Sequence, residues 1–198
     1  MGRGSSIMLN LITLANCKLQ LGIPTANTLY DANITAMIPF VSSDVRRIIN
    51  NSYNTYVPAT FTSGNKSIYF GGNYFPSRAE MSIPKFDLGQ VVYAPGIPAD
   101  TYLYSFDPTT GNYTLSETPT ASGTYVYPTV RISMFPAIAK MIWYRIQGMS
   151  TDDASRKGVQ SESYGPVSIT YSQKEINSQY NYPQILIDDL GTPYAQVG

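Results

Sequence analysis

The chain has 198 residues, with 13 basic and 13 acidic side chains, 17 tyrosines, one cysteine and no histidine. A chain of this length can bury roughly 70% of its unfolded surface, so it needs neither a metal nor a disulfide to fold, and its balanced charge argues against a general electrostatic grip on nucleic acid. The missing histidine removes the commonest general base and metal ligand, the lone Cys17 excludes an internal disulfide, and no apolar run approaches the ~20 residues that cross a bilayer.

The first eight residues are predicted to be a flexible leader. Met1-Gly2-Arg3-Gly4-Ser5-Ser6 also fits the loose myristoylation pattern, so a lipid anchor is an alternative there. The stretch that ends at Cys17 faintly resembles a lipoprotein signal, but Asn16 is larger than the residue such a signal requires.

Two helices are predicted in the first part of the chain. Residues 9–23 form a modest amphipathic segment, and residues 31–53 follow the helical period closely with Pro39 in their middle. Asp31 or Asn33 is expected to cap the second helix. Its predicted buried stripe is Ile34, Met37, Ile38, Val41, Val45, Ile48, Ile49 and Tyr53. Its predicted solvent face is Thr35, Ser42, Asp44, Arg46, Arg47 and Asn50.

Residues 55–128 have a different texture, because short aromatic or β-branched runs alternate there with Pro and Gly. The predicted strands are Tyr56-Val57, Ala59–Phe61, Ser67–Phe70, Gln90–Tyr93, Thr101–Phe106, Asn112–Leu115 and Thr124–Tyr127. Residues 107–112 predict a hairpin turn, with Gly111 accepting a positive φ. We expect a small antiparallel β subdomain, whose tyrosines either pack across strands or form an exposed face.

A long helix is predicted over residues 129–148, with Thr129 as its cap and Gly148 as its stop. Pro136 predicts a kink or a late start. The predicted buried stripe is Ile132, Phe135, Ile138, Ala139, Ile142, Trp143 and Ile146. The predicted solvent face is Arg131, Ser133, Lys140, Arg145 and Gln147.

Beyond this helix, residues 167–171 alternate like a strand with one buried face. A helix of about two turns is predicted from Pro183 to Leu190, with Gly191 as its stop. A helix so short is marginal alone, so it must dock on its own core or on another chain.

Motifs of catalysis are missing from the sequence. It contains no Walker loop, dinucleotide fingerprint, zinc spacing or nucleophile elbow. The acidic pairs Asp152-Asp153 and Asp188-Asp189 lack the alternating spacing of a calcium loop, so we expect them to be solvated. We therefore predict no catalytic residue, no metal, no cofactor and no enzymatic activity.

The fold class predicted from these elements is α+β. Residues 9–54 and 124–171 are expected to form a small antiparallel helical bundle, residues 55–123 an inserted antiparallel β subdomain, and residues 172–198 an extended C-terminal arm. This order resembles the head–tail adaptor (connector, or head-completion) proteins of tailed bacteriophages. The resemblance is carried by Leu11-Ile-Thr-Leu-Ala-Asn-Cys-Lys-Leu-Gln-Leu-Gly-Ile23, Asp31-Ala-Asn-Ile-Thr-Ala-Met-Ile-Pro39 and Gly158-Val-Gln-Ser-Glu-Ser-Tyr-Gly165. The enlarged insertion looks like that of short-tailed phage adaptors.

The resemblance implies a structural role in the virion, at the head–tail junction, after synthesis in the host cytoplasm. Such adaptors form a ring, commonly of twelve subunits, beneath the portal. The ring extends the channel through which genome DNA passes without sequence-specific binding. It also offers a docking surface to a tail or nozzle protein, and the insertion would reach tail fibres. The residues expected to touch the portal or a neighbouring subunit are Glu162, Tyr164, Tyr171, Tyr182, Ile185, Leu186, Asp188, Asp189, Leu190 and Tyr194.

Two other readings stay open. In the first, the tyrosine-rich β block recognises a glycan or a host receptor and the helices serve as its attachment base. In the second, the protein is a small enzyme that uses only carboxylates and tyrosines, although its acidic residues are scattered along the chain.

Overall fold

The structure is a computed structural model. It describes residues 9–49, 56–71, 86–148, 161–164, 167–170, 176–177 and 180–191. The chain divides into two compact units: Met1–Ser52 together with Met134–Gly198, which we call the helical unit, and Tyr53–Ser133, which we call the β unit.

The described part of the β unit is a six-stranded antiparallel sheet. Its strands are β1 (Val57–Phe61), β2 (Ser67–Tyr69), β3 (Gln90–Tyr93), β4 (Leu103–Asp107), β5 (Asn112–Leu115) and β6 (Gly123–Arg131). They lie in the order β3-β6-β1-β2-β5-β4. The two edge strands then meet, because Val91 bridges Tyr102 and the Val92 amide donates to the Thr101 carbonyl at 2.9 Å. The sheet is therefore a nearly closed barrel, which leaves few unpaired backbone groups at its edges.

Alternation along the strands produces the barrel core. In β1, Val57, Ala59 and Phe61 are buried while the residues between them are exposed. The core residues of the barrel are Val57, Ala59, Phe61, Ile68, Phe70, Val92, Ala94, Ile97, Leu103, Tyr113, Leu115 and Val126. The Phe86 amide donates to the Tyr113 hydroxyl at 3.0 Å, so this buried tyrosine has a polar partner.

The predicted hairpin turn is confirmed. β4 and β5 pair in antiparallel register, and Gly111 has a φ of 73°. The Asp107 carboxylate accepts hydrogen bonds from the Thr109 amide at 2.8 Å and from the Thr110 hydroxyl at 2.7 Å. The Thr110 hydroxyl, followed by the Thr109 amide, holds the pKa of Asp107 below its ordinary value.

The described helical unit consists of four helices and two small strand pairs. Its elements are α1 (Leu14–Gln20), α2 (Asp31–Ile48), α3 (Phe135–Gly148), β7 (Ser161–Tyr164), β8 (Val167–Thr170), β9 (Ile176–Asn177), β10 (Tyr182–Pro183) and α4 (Gln184–Asp188). β7 pairs with β8 and β9 with β10, both in antiparallel register. The predicted strand over residues 167–171 is thus confirmed for Val167–Thr170.

A buried lysine connects α1 to α2. Lys18 is 3% exposed, and its ammonium donates to the Thr25 carbonyl at 3.0 Å, the Asn27 carbonyl at 2.8 Å and the Asp31 carboxylate at 2.8 Å. These three acceptors hold the loop between the two helices. The expected capping role of Asp31 or Asn33 is wrong, since the cap position is Tyr30 and no side chain caps there.

The stripe predicted for α2 is largely confirmed, and the helix continues through Pro39. The residues of this stripe that are buried are Ile34, Ile38, Val41, Val45, Ile48 and Ile49. Ser42 was predicted on the solvent face, but it is buried, and its hydroxyl accepts a hydrogen bond from the Leu11 amide at 3.0 Å. A serine that meets a backbone donor can be buried at little cost.

The helix predicted from Thr129 begins at Phe135 instead. Thr129 lies in β6, where its hydroxyl donates to the Val91 carbonyl at 3.1 Å. The predicted late start near Pro136 is confirmed, because this proline occupies the first turn of α3, where a missing amide costs nothing. Gln147, expected on the solvent face, is buried.

The predicted fold class is wrong. A helical bundle with an inserted subdomain does not describe a molecule in which a nearly closed six-stranded barrel accompanies four described helices, two of which have only seven and five residues. Residues 124–131, assigned to the bundle, belong to β6. The C-terminal segment that was expected to extend as an arm is instead anchored within the helical unit by the buried side chains of Tyr182, Leu186 and Leu190. The helical period of the sequence does not reveal that the six strands of the β unit pair with one another and enclose a separate core.

Candidate interaction surfaces

The C-terminal segment was predicted to reach a partner. Instead, Tyr182, Leu186 and Leu190 are 0%, 2% and 4% exposed, and α4 contacts α3. Ile185 is 38% exposed, so only the outer side of α4 faces solvent. Three of the residues predicted to contact a partner, Tyr182, Leu186 and Leu190, are thus packed inside the chain.

Tyr182 is the centre of a polar network in the helical unit. Its hydroxyl donates to the Asp44 carboxylate at 2.8 Å and accepts from Nε of Arg145 at 3.0 Å. Arg145 also donates to Asp44 at 3.1 Å, and Arg47 donates to the second carboxylate oxygen at 3.0 Å. The guanidinium of Arg145 lies 4.6 Å from the centre of the Tyr182 ring. Burial raises the pKa of Tyr182 above its ordinary value. The network fastens the end of the chain to α2 and α3.

The other residues of the predicted partner site are dispersed. Asp188 accepts from Nε2 of Gln184 at 2.8 Å, and Asp189 lies 3.7 Å from the Lys140 ammonium. Glu162 and Tyr164 belong to β7. Tyr171 and Tyr194 lie outside the described residues.

A different surface of the helical unit carries exposed apolar side chains. Leu29, two residues before the start of α2, is 73% exposed, and Phe40 is 65% exposed. The exposed residues Ala32 and Ala36 lie between them at three- and four-residue steps. Ala32, Ala36 and Phe40 therefore lie on one face of α2, and together with Leu29, which precedes the helix, we call them the outer stripe. An exposed face with large apolar side chains and no charge can serve as a contact surface. The spacing of Ala32, Ala36 and Phe40 could have revealed it in the sequence.

The β unit exposes tyrosines on its outer face. Tyr56, Tyr93 and Tyr125 are 59%, 42% and 38% exposed. Tyr127 is half-buried beside them. The sequence left open whether these tyrosines pack across strands or face solvent, and they do both.

The described residues offer no reactive group that stands out. Burial raises the pKa of the Cys17 thiol to about 12, which keeps it protonated and unreactive at neutral pH. Among the described residues, no three His, Cys, Asp or Glu side chains are placed to hold a metal ion, and Asp152 and Asp153 lie outside that part. No helix in the described part is long and apolar enough to span a membrane.

Comparison of the chain with models of protein families, with curated proteins and with solved structures gave no match.

Proposed function

We propose that this protein is a ring-forming head–tail adaptor of a tailed bacteriophage. In this role it docks beneath the portal, extends the DNA channel and provides the surface to which the tail attaches. The outer stripe of α2 is the observation that carries the proposal, together with the adaptor-like motifs of the sequence.

The motifs and the stripe belong to the same unit. The stretch Leu11–Ile23 contains α1, Asp31–Pro39 opens α2, and Ser161–Tyr164 in the third motif is strand β7. A ring needs heterologous contacts, in which one face of a subunit meets a different face of the next. The outer stripe supplies one such face, because Leu29 and Phe40 are large apolar side chains that stay exposed while the opposite face of α2 is packed.

Charge supports the same role. The chain carries 13 basic and 13 acidic residues, so it has no net charge with which to hold DNA. Phosphate contacts with Lys and Arg dominate the affinity of proteins for DNA. A chain without net charge therefore suits a channel through which a genome passes without being held.

Light scattering after size-exclusion chromatography tests the proposal, with the purified chain alone and mixed with the portal protein of the same phage. We expect an oligomer in at least one of the two preparations. Phe40→Asp should weaken each subunit contact by roughly 2 kcal/mol, about 30-fold, because a charge would replace an aromatic side chain that the neighbouring subunit covers in the ring. Leu88→Asp, at a 51% exposed residue of the β unit, is the matched control and should assemble normally. A chain that is monomeric alone and does not bind the portal in the mixture would contradict the proposal.

A further inference from the structure

Four tyrosines meet on the outer face of the barrel. They are Tyr56 next to β1, Tyr93 in β3, and Tyr125 and Tyr127 in β6. We call them the tyrosine cluster. The ring centre of Tyr56 lies 6.0 Å from that of Tyr125 and 6.4 Å from that of Tyr127. The ring centres of Tyr93 and Tyr127 are 6.4 Å apart. The four rings thus form a continuous aromatic surface across three neighbouring strands.

Register explains why the rings meet. Tyr93 is directly opposite Tyr127 in the pairing of β3 with β6. Tyr125 is opposite Pro58 in the pairing of β6 with β1. Because alternate residues of a strand face the same side, Tyr125 and Tyr127 both point away from the core, while Val126 between them is buried. Tyr93, Tyr125 and Tyr127 are therefore held on paired strands that present their rings on the outer face.

The chemistry of this surface is neutral and polar at its tips. None of the four hydroxyls makes a hydrogen bond to another residue in the described part of the chain, so they remain available to a ligand. In β1, β3 and β6 the only charged residue is Arg131, at the far end of β6. The exposed neighbours Pro58, Thr60 and Thr124 are also uncharged.

We propose that the tyrosine cluster binds a neutral polysaccharide chain. A sugar ring has apolar C–H faces and a rim of hydroxyls, and a tyrosine offers the complementary pair, an apolar ring face and a phenolic donor and acceptor. An acidic polysaccharide or a nucleic acid would require arginines or lysines, which these strands lack in the cluster. A protein partner is often steered by charges, and among the described strands that carry the cluster only Arg131 is charged. Tyr56, Tyr125 and Tyr127 form a triangle and Tyr93 extends it past Tyr127, so the cluster is wider than one sugar ring and suits a chain of sugars better than a single small molecule. The proposal is independent of ring formation.

Affinity electrophoresis tests it directly. The full-length chain is run in native gels that contain dextran, glycogen or galactomannan, with alginate and polygalacturonate as acidic polymers. At least one neutral polymer should retard the protein. Tyr56→Ala and Tyr93→Ala remove the two most exposed rings and should together weaken binding by about tenfold or more. Tyr56→Phe keeps the ring, so its loss should be only about two- to threefold.

The matched control is Tyr104→Ala, since Tyr104 is 64% exposed on β4 and lies outside the cluster. It should bind like the unmodified chain, and circular dichroism checks that all variants are folded. The proposal is overturned if no neutral polymer retards the protein, if only the acidic polymers do, or if the alanine variants bind as well as the control. A concentration-dependent dimer that the alanine variants abolish, without retardation by sugars, would assign this face to a second copy of the chain and overturn it as well.

Discussion

Removing one oxygen atom from Tyr182 should measurably loosen the helical unit. In Tyr182→Phe, the buried hydroxyl that links Asp44 to Arg145 is lost while the ring stays over the guanidinium. A hydrogen bond to a charged group contributes about 1.5–3 kcal/mol. Two such bonds are lost here, but Asp44 keeps both of its arginine partners, and the Arg145 side chain is 36% exposed and can turn to water. We therefore expect a net loss of about 1–2 kcal/mol in the free energy of unfolding.

Urea titration followed by tryptophan fluorescence measures this loss. Trp143 is the sole tryptophan of the chain, is 1% exposed and lies edge-on to Tyr30 at 5.0 Å between ring centres. It belongs to the same unit as Tyr182, so its emission reports the unfolding of that unit. Tyr182→Ala should cost more, about 3–5 kcal/mol, because the ring is removed as well. Tyr104→Phe, at an exposed tyrosine of the β unit, should leave this transition unchanged. If Tyr182→Phe is as stable as the unmodified chain, the network does not fasten the C-terminal segment.

Three further results are expected. Lys18→Met should destabilise the helical unit by roughly 3 kcal/mol in the same titration, because a buried ammonium would be removed from three acceptors. The control Lys140→Met, at a 44% exposed side chain, should cost less than about 0.5 kcal/mol. Burial raises the pKa of the Cys17 thiol from 9.0 to about 12, so its contribution to stability is complete below pH 9 and is lost as the pH rises toward 12. Cys17→Ala should therefore reduce the loss of stability at alkaline pH. Iodoacetamide at pH 8 should modify Cys17 only after unfolding, because the folded thiol stays protonated and buried. Gly96→Ala should destabilise the barrel more than Gly64→Ala, as measured by the near-ultraviolet circular dichroism of the tyrosines. Both glycines have positive φ, but of the two only Gly96 would place the added Cβ 2.6 Å from a neighbouring side chain. Equal losses of stability would contradict the role given to this close approach.

Local patterns of the sequence were sufficient for most strands and for the interior of the long helices. The run Asn112–Leu115 and the turn before it are determined by alternation and by a glycine with positive φ, which are properties of neighbouring residues. The buried stripe of α2 likewise follows the helical period in the sequence. Residues 129–131 were predicted to be helical because they fit the period of the helix that follows. They form a strand instead, because β6 pairs with β3.

Contacts between distant positions could not be predicted in this way. Tyr182 and Asp44 are 138 positions apart, and no spacing rule joins them. Closure of the barrel depends on the bridge between Val91 and Tyr102, which links strands whose sequences do not reveal their neighbours. The docking of α4 was one of two alternatives in the sequence, and only tertiary contacts of Leu186 and Leu190 select the internal one.

Ring formation at the head–tail junction can be seen in an electron-microscopy map of the assembled phage particle. We predict a ring of copies of this chain beneath the portal, with the outer stripe of α2 covered by a neighbouring subunit. A junction without this protein, or a ring in which Leu29 and Phe40 face open solvent, would contradict it.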